Sequence, residues 1–251
     1  SLISRIVSAA AVTLYCIPKT NSVRFCMPGI LAWDWRLLKK ILGIAVPNGV
    51  ENGVHQLVKV ALSSVISLFG TYQIAANGVA QSIWSLAALM GLAMAPVYTT
   101  VIGQCMGARD IESANIYFRK LMKISFILSV IWNAFIFAVT PGLLHFYALS
   151  DQTAHLVIVL VLINNVFNGL TYPYAGPLGS GLRAAGDVKF TMIVSVSLTI
   201  AARLFFSILL GIWMNLGAIG VALGMSIDLV FRGAIFYIRF RKQTWTKFRL
   251  I

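Results

Sequence analysis

Glu51, His55 and Lys59 stand at successive intervals of four residues in a largely apolar stretch from 41 to 69. On a helix that spacing keeps all three on one face, with neighbours at contact distance. A carboxylate, an imidazole and an ammonium in a row can relay a proton or hold a cation, because the imidazole titrates near neutral pH. The same row also serves as a charge-compensated stripe that orients a helix in its bundle. A second constellation lies further on, with Asp228 and Arg232 one helical turn apart and Arg203 in the preceding apolar stretch. A charge in hydrocarbon costs from ~2.5 to more than ~10 kcal/mol, so a chain keeps one where it is paired, faces water or moves ions. Asp228, Arg232 and Arg203 therefore read as an intramembrane charge clamp, structural or gating. Asn77, Gln81, Asn164, Asn165 and Asn168 add uncharged hydrogen-bonding groups that line a route or stitch helices together.

The elements that must position these groups are membrane helices. Of 251 residues 59% are hydrophobic and only 11% are charged, and the mean hydropathy of +0.86 is far above that of a soluble core. Apolar runs of the ~20 residues needed to cross ~30 Å of hydrocarbon recur along the chain. They predict six spans at roughly 41–69, 74–102, 121–147, 154–180, 191–213 and 217–238, an all-α polytopic lobe. A further apolar segment at 1–17 reads as the end of a preceding span, because Arg5 in its middle and the lack of a small-residue cleavage site argue against a signal peptide. Residues 18–40 read as a linker and 241–251 as a basic tail.

The net charge of +13 does not imply nucleic acid, because the cations alternate by loop. Lys19, Arg24, Arg36, Lys39 and Lys40 lie in the first connection, Arg109, Arg119 and Lys120 in the next, Arg183 and Lys189 in a third, and Arg239, Arg241, Lys242, Lys247 and Arg249 at the end. The turns at 70–73, 148–153 and 214–216 carry none. By the positive-inside rule the basic loops and the C-terminus are cytoplasmic. Cys16, Cys26 and Cys105 are odd in number and imply no disulfide framework. His145, Asp151 and His155 match no metal-ligand spacing and read as solvated interface residues. No phosphate-binding loop, zinc-protease motif or nucleophile elbow occurs, so the sequence points to no enzyme and no cofactor.

Proline and glycine mark two irregular spans. Pro173, Gly176, Pro177 and Gly179 remove two backbone donors one turn apart, predicting a kink or opening in 154–180, and Pro96 does so more mildly in 74–102. Broken membrane helices mark substrate or ion sites in many transporters. Between spans, Asp110 and Glu112 precede Arg119 and Lys120, an order that suits the helix dipole and predicts a short surface helix within 103–120.

Two segments carry a resemblance. Val101-Ile102-Gly103-Gln104-Cys105-Met106-Gly107-Ala108-Arg109 is similar to a Gly-Gln-x-x-Gly-Ala motif, and Leu182-Arg183-Ala184-Ala185-Gly186-Asp187 to a Leu-Arg-Gly-x-Gly-Asp motif, of the multidrug and toxic compound extrusion (MATE) family. With Pro47 opening the first span and Gly217-Ala218-Ile219-Gly220 opening the last, the resemblance covers about 40–240. It implies the C-terminal six-helix lobe of a twelve-helix antiporter, with the N-terminal lobe of the same chain as its missing partner. Gly103 and Gly107 suit a helix exit and close packing, Gly186 and Asp187 a helix start with Asp187 as N-cap, and Arg183 and Lys189 the lipid headgroups or neighbouring carbonyls. Some branches of the family carry an acid eight residues after the proline, where this chain has His55 with Glu51 one turn earlier.

The reading is a cation-coupled (H+ or Na+) antiporter of a bacterial inner membrane, exporting amphipathic or cationic small molecules. Glu51 binds the ion or substrate cation, and His55 and Lys59 tune it. The alternatives are a lipid or polyisoprenoid flippase of the related superfamily and a non-transporting membrane module.

Overall fold

A computed structural model of the chain describes residues 2–16, 34–144, 147 and 149–247. The readings made for most of the 18–40 linker, for Cys26, for His145 and for the end of the tail lie outside the described residues. The chain divides into two units, Ser1–Ile44 and Ala45–Ile251. The first holds helix α1 (Leu2–Cys16) and the opening turns of α2 (Trp35–Ser67). Asp34 accepts the Arg36 amide at 2.9 Å, which caps the start of α2.

The second unit is an all-helical bundle that holds every candidate site residue. After α2 come α3 (Thr71–Ala87), α4 (Leu89–Gly107), α5 (Ile111–Leu144), α6 (Asp151–Ala175), α7 (Pro177–Ala184), α8 (Val188–Trp213) and α9 (Gly217–Arg241). By length and composition, five stretches among the described residues can cross a membrane: α4, α5, α6 with α7, α8, and α9. Six spans were expected from the sequence. The 33-residue α2 is not among the five, since Asn48, Glu51, Asn52, His55, Gln56 and Lys59 lower its hydropathy.

Two further expectations are corrected. The short surface helix at 103–120 is absent as a separate element: α5 runs unbroken from Ile111, capped by Asp110, whose carboxylate accepts the Ser113 amide at 2.9 Å. That backbone hydrogen bond, helped by the Ser113 hydroxyl, holds the Asp110 carboxyl below the usual carboxylate range. The break in the 74–102 span falls at Ala88 rather than at Pro96. Side chains of α5 satisfy the carbonyls released there, Trp132 Nε1 donating to Leu86 O at 2.9 Å and Asn133 Nδ2 reaching Ala87 O at 3.5 Å. The kink expected around Pro173 and Pro177 is present at Gly176, yet the helix does not open, because the Gly176 amide still reaches Tyr172 O at 2.8 Å.

The bundle core has an aromatic end and an aliphatic end. Tyr98, Phe118, Phe236, Phe240 and Trp245 pack with Leu178 and Leu182 where α4, α5, α7 and α9 meet. Ala76, Ala80, Val157, Leu160, Val161 and Ala218 fill the other end, where small residues bring α3, α6 and α9 close. Gln73 caps α9 from α3, its Oε1 accepting the Ala218 amide at 2.7 Å beside Gly217, whose φ of 57° turns the chain into the helix.

Candidate functional site

α8 is not a regular α-helix. It widens into π-turns at Thr199–Leu204 and Leu209–Trp213, separated by one α-helical turn. Gly220 and Gly224 of α9 lie against these turns so closely that a Cβ on either would come nearer than 3.0 Å to backbone atoms of Leu210, Gly211 or Ser207. The extra residue in a π-turn rotates the side chains that follow it. Here Thr199 and Arg203, both in the first π-turn, meet His55 of α2 and Arg232 of α9.

The resulting cluster joins three helices. Arg232 Nη2 donates to both oxygens of Asp228, at 2.9 and 2.8 Å, and to Thr199 Oγ1 at 2.8 Å. Arg232 Nη1 reaches His55 Nε2 at 2.8 Å, and Arg203 Nη1 faces His55 Nδ1 at 3.3 Å. A neutral imidazole has one acceptor nitrogen, and guanidinium groups only donate. The shorter contact therefore assigns acceptance to Nε2 and places the Nδ1 proton toward Arg203, so His55 serves one arginine at a time. Asp228 is 1% and Arg232 7% exposed, and one carboxylate faces two guanidinium groups. The Nε atoms of both arginines are buried without a partner. Adding a proton to His55 would place a third cation in this group, so the imidazole is suited to accepting hydrogen bonds rather than to storing charge.

Glu51 stands one turn before His55 but does not touch it. Its carboxylate pairs with Arg183 of α7, Nη1 lying 3.2 Å from Oε1 and 3.1 Å from Oε2, while Nη2 of the same arginine donates to Ser180 Oγ at 3.1 Å. Arg183, expected at the lipid headgroups or neighbouring carbonyls, thus ties α7 to the middle of α2. Lys59 is exposed and pairs with no carboxylate among the described residues. The row Glu51, His55, Lys59 is one face of a helix, as its spacing requires, but its members turn to different partners and do not form a relay with one another. Interhelical contacts outcompete the four-residue spacing, which stabilises an isolated helix by only ~0.2–0.5 kcal/mol per pair.

The remaining candidates separate. Asn165 and Asn168 are buried and reach α5, Asn168 Nδ2 donating to Asn133 Oδ1 at 3.3 Å and Asn165 Nδ2 to Asn133 O at 3.5 Å. Asn133, not singled out from the sequence, is the hub, and a lone asparagine in an apolar helix was its only sequence signal. Asn77, Gln81 and Asn164 are half-buried and outside this network. Gly107 ends α4, but a Cβ on Gly103 or Gly107 would meet nothing within 4 Å, so the close packing expected there is not present. Gln104 accepts the Ala108 amide through its backbone oxygen at 2.9 Å, closing the last turn. Gly186 takes a φ of 98° in the turn before α8. Asp187 stands at the N-cap, just before that helix, but makes no side-chain cap; it pairs with Arg239 Nε of α9 at 2.7 Å, and Arg239 lies 4.3 Å above the Phe190 ring.

The MatE family model matches residues 47–209, which contain Glu51, His55, Arg183 and Arg203. A probable multidrug resistance protein NorM of Listeria innocua serovar 6a is 28% identical over 224 residues, 85% of this chain and 46% of that protein. The corresponding protein of Thermotoga maritima is 22% identical over 98% of this chain and 53% of its own length. Among solved structures, the outward-facing conformation of a multidrug resistance MATE family transporter of the MOP superfamily superposes with a TM-score of 0.85 at 20% identity, over 96% of this chain and 54% of that one. The chain thus spans about half the length of the relatives it matches. With membrane-length helices, a family model covering most of the bundle and both sequence motifs in place, this chain belongs to the MatE family of multi-pass membrane transporters.

Proposed function

We propose that the chain is one lobe of a cation-coupled efflux antiporter, exchanging H+ or Na+ for amphipathic, often cationic, small molecules in a bacterial inner membrane. The other lobe closes the central cavity, and the two rock about it. The observation that carries this reading is the Glu51–Arg183 pair. It joins two helices through one guanidinium nitrogen, its side chains are 12% and 22% exposed, and it can be replaced from outside. A proton or sodium ion that takes the Glu51 carboxylate removes the charge holding Arg183, which frees α7 from α2. A cationic substrate competes for the same carboxylate, the thermodynamic requirement for exchange. His55, with Arg203, Asp228 and Arg232, keeps α2, α8 and α9 in register while this happens. Lys59, exposed, has no part in it.

The test is made in the full-length transporter. Glu51→Gln should leave the protein folded and membrane-inserted, while export driven by an imposed proton or sodium gradient collapses and the pH or sodium dependence of substrate binding flattens. Export at the wild-type rate with unchanged ion dependence would place coupling elsewhere.

A further inference from the structure

The basic ends of α5 and α9 enclose a cavity of about 750 Å³ that the transport reading does not use. Arg119 and Lys123, one turn apart on α5, and Arg241, the last residue of α9, line it together with Asn115 and Gln243. No lining residue is acidic. The ion pairs among the described residues engage Arg183, Arg232 and Arg239 instead. A bound anion would neutralise this basic mouth.

The cavity changes character with depth. Met122, Phe126 and Ile127 continue from Lys123 down α5, and the step from Arg119 to Ile127 descends about 12 Å at the helical rise, from headgroup level into hydrocarbon. Tyr174 and Tyr237, in edge contact at 5.8 Å, form its far wall. The same two rings open a smaller space of about 220 Å³ between α6 and α9, lined by Thr171, Val230, Gly233 and Ala234. The two spaces thus share these tyrosines, with a polar, cationic mouth on one side and an apolar groove on the other. A free phosphate would use the mouth alone; a molecule with an anionic head and a hydrocarbon chain uses both.

We propose that this is a seat for an anionic membrane phospholipid, its phosphate on Arg119, Lys123 and Arg241 and an acyl chain in the α6–α9 groove. Basic pockets between membrane helices recognise anionic headgroups in this way. The occupant is a structural lipid that cements α5, α6 and α9, distinct from the exported substrate and independent of the Glu51 mechanism.

The probes are dioctanoyl phosphatidylglycerol, dioctanoyl phosphatidylcholine and glycerol phosphate, added to the full-length transporter in neutral detergent, with bound molecules counted by native mass spectrometry. Phosphatidylglycerol should be held about tenfold more tightly than phosphatidylcholine, and R119Q/R241Q should bring it down to the phosphatidylcholine level with unchanged melting. Ala234→Phe, at an exposed position of the groove, should weaken phosphatidylglycerol while leaving the headgroup cations intact. If the double variant does not fold, Lys123→Gln alone should lower retention severalfold. Equal retention by wild type and the neutralised variants overturns the proposal. So does glycerol phosphate displacing the lipid at equal concentration, which would make this a free-phosphate site.

Discussion

Glu51–Arg183 and Asp228–Arg232 are made of the same two chemical groups and sit in the same lobe, yet they are built oppositely. Asp228 and Arg232 lie one turn apart on α9, both almost fully buried, with Thr199 and His55 taking further donors from the two terminal guanidinium nitrogens. Glu51 and Arg183 come from helices 132 positions apart in sequence and leave part of each side chain open. Burial raises the cost of separating a pair, because the abandoned charge has no water to turn to. The local pair is therefore the costlier one to open, and the proposed cycle opens the distant one. Under the proposed mechanism the pair formed by neighbours holds the lobe, and the pair formed by strangers changes it.

The largest effect should come from breaking the buried pair. Arg232→Leu removes the partner of a carboxylate that is 1% exposed and withdraws donors from Thr199 and His55, so it should destabilise by about 3–5 kcal/mol. Loss of well-folded protein from the membrane, or a marked fall in melting temperature in detergent, measures this. Replacing Asp228 and Arg232 together by Leu and Met should recover a good part of the loss, since no unpaired carboxylate remains. Failure of the double change to improve on the single one would mean that the interhelical bonds to His55 and Thr199, rather than the ion pair, hold α9 in place.

How far each pair could be read in advance follows from the same difference. Asp228–Arg232 was legible because a four-residue spacing on one helix fixes the contact before any tertiary structure exists. Five of the six expected spans and most of their turns were legible for a similar reason, hydropathy being local. Nothing local assigns Arg183 to Glu51, and the rule that found one pair misassigned the other by pointing to His55. The π-turns that aim Thr199 and Arg203 were invisible because one extra residue in a turn leaves apolar composition unchanged. The break at Ala88 was hidden too, since its cause is Trp132 and Asn133 on another helix, while the visible cue was Pro96. Asp187 reads as a cap by position, and only the fold brings Arg239 to it.

A smaller effect should follow from opening the accessible pair. Arg183→Gln leaves Glu51 12% exposed and able to recruit water, so the stability loss should be about 1–2 kcal/mol. The signature of the change belongs to function rather than folding: with its competitor gone, Glu51 should bind a transported cation more tightly and release it more slowly. In the full-length transporter, apparent affinity for the coupling ion should rise as turnover falls. A loss of stability equal to that of Arg232→Leu, with ion affinity unchanged, would erase the distinction between the two pairs.

The smallest effect separates the helical stripe from the contacts made by the fold. If Glu51, His55 and Lys59 acted as one row, neutralising Lys59 would disturb both of the others, shifting the ion dependence of transport as Glu51 lost a nearby cation. In the structure Lys59 is exposed, Glu51 is held by Arg183, and His55 lies among Thr199, Arg203 and Arg232. Lys59→Gln should therefore change stability by no more than about 0.5 kcal/mol, the range of surface substitutions away from special features. Ion dependence and export rate should match the wild type in the same assays that register Glu51→Gln and Arg183→Gln. A shift in the pH or sodium dependence with Lys59→Gln comparable to that of Arg183→Gln would restore the row as a working unit and make the Arg183 pair its accessory.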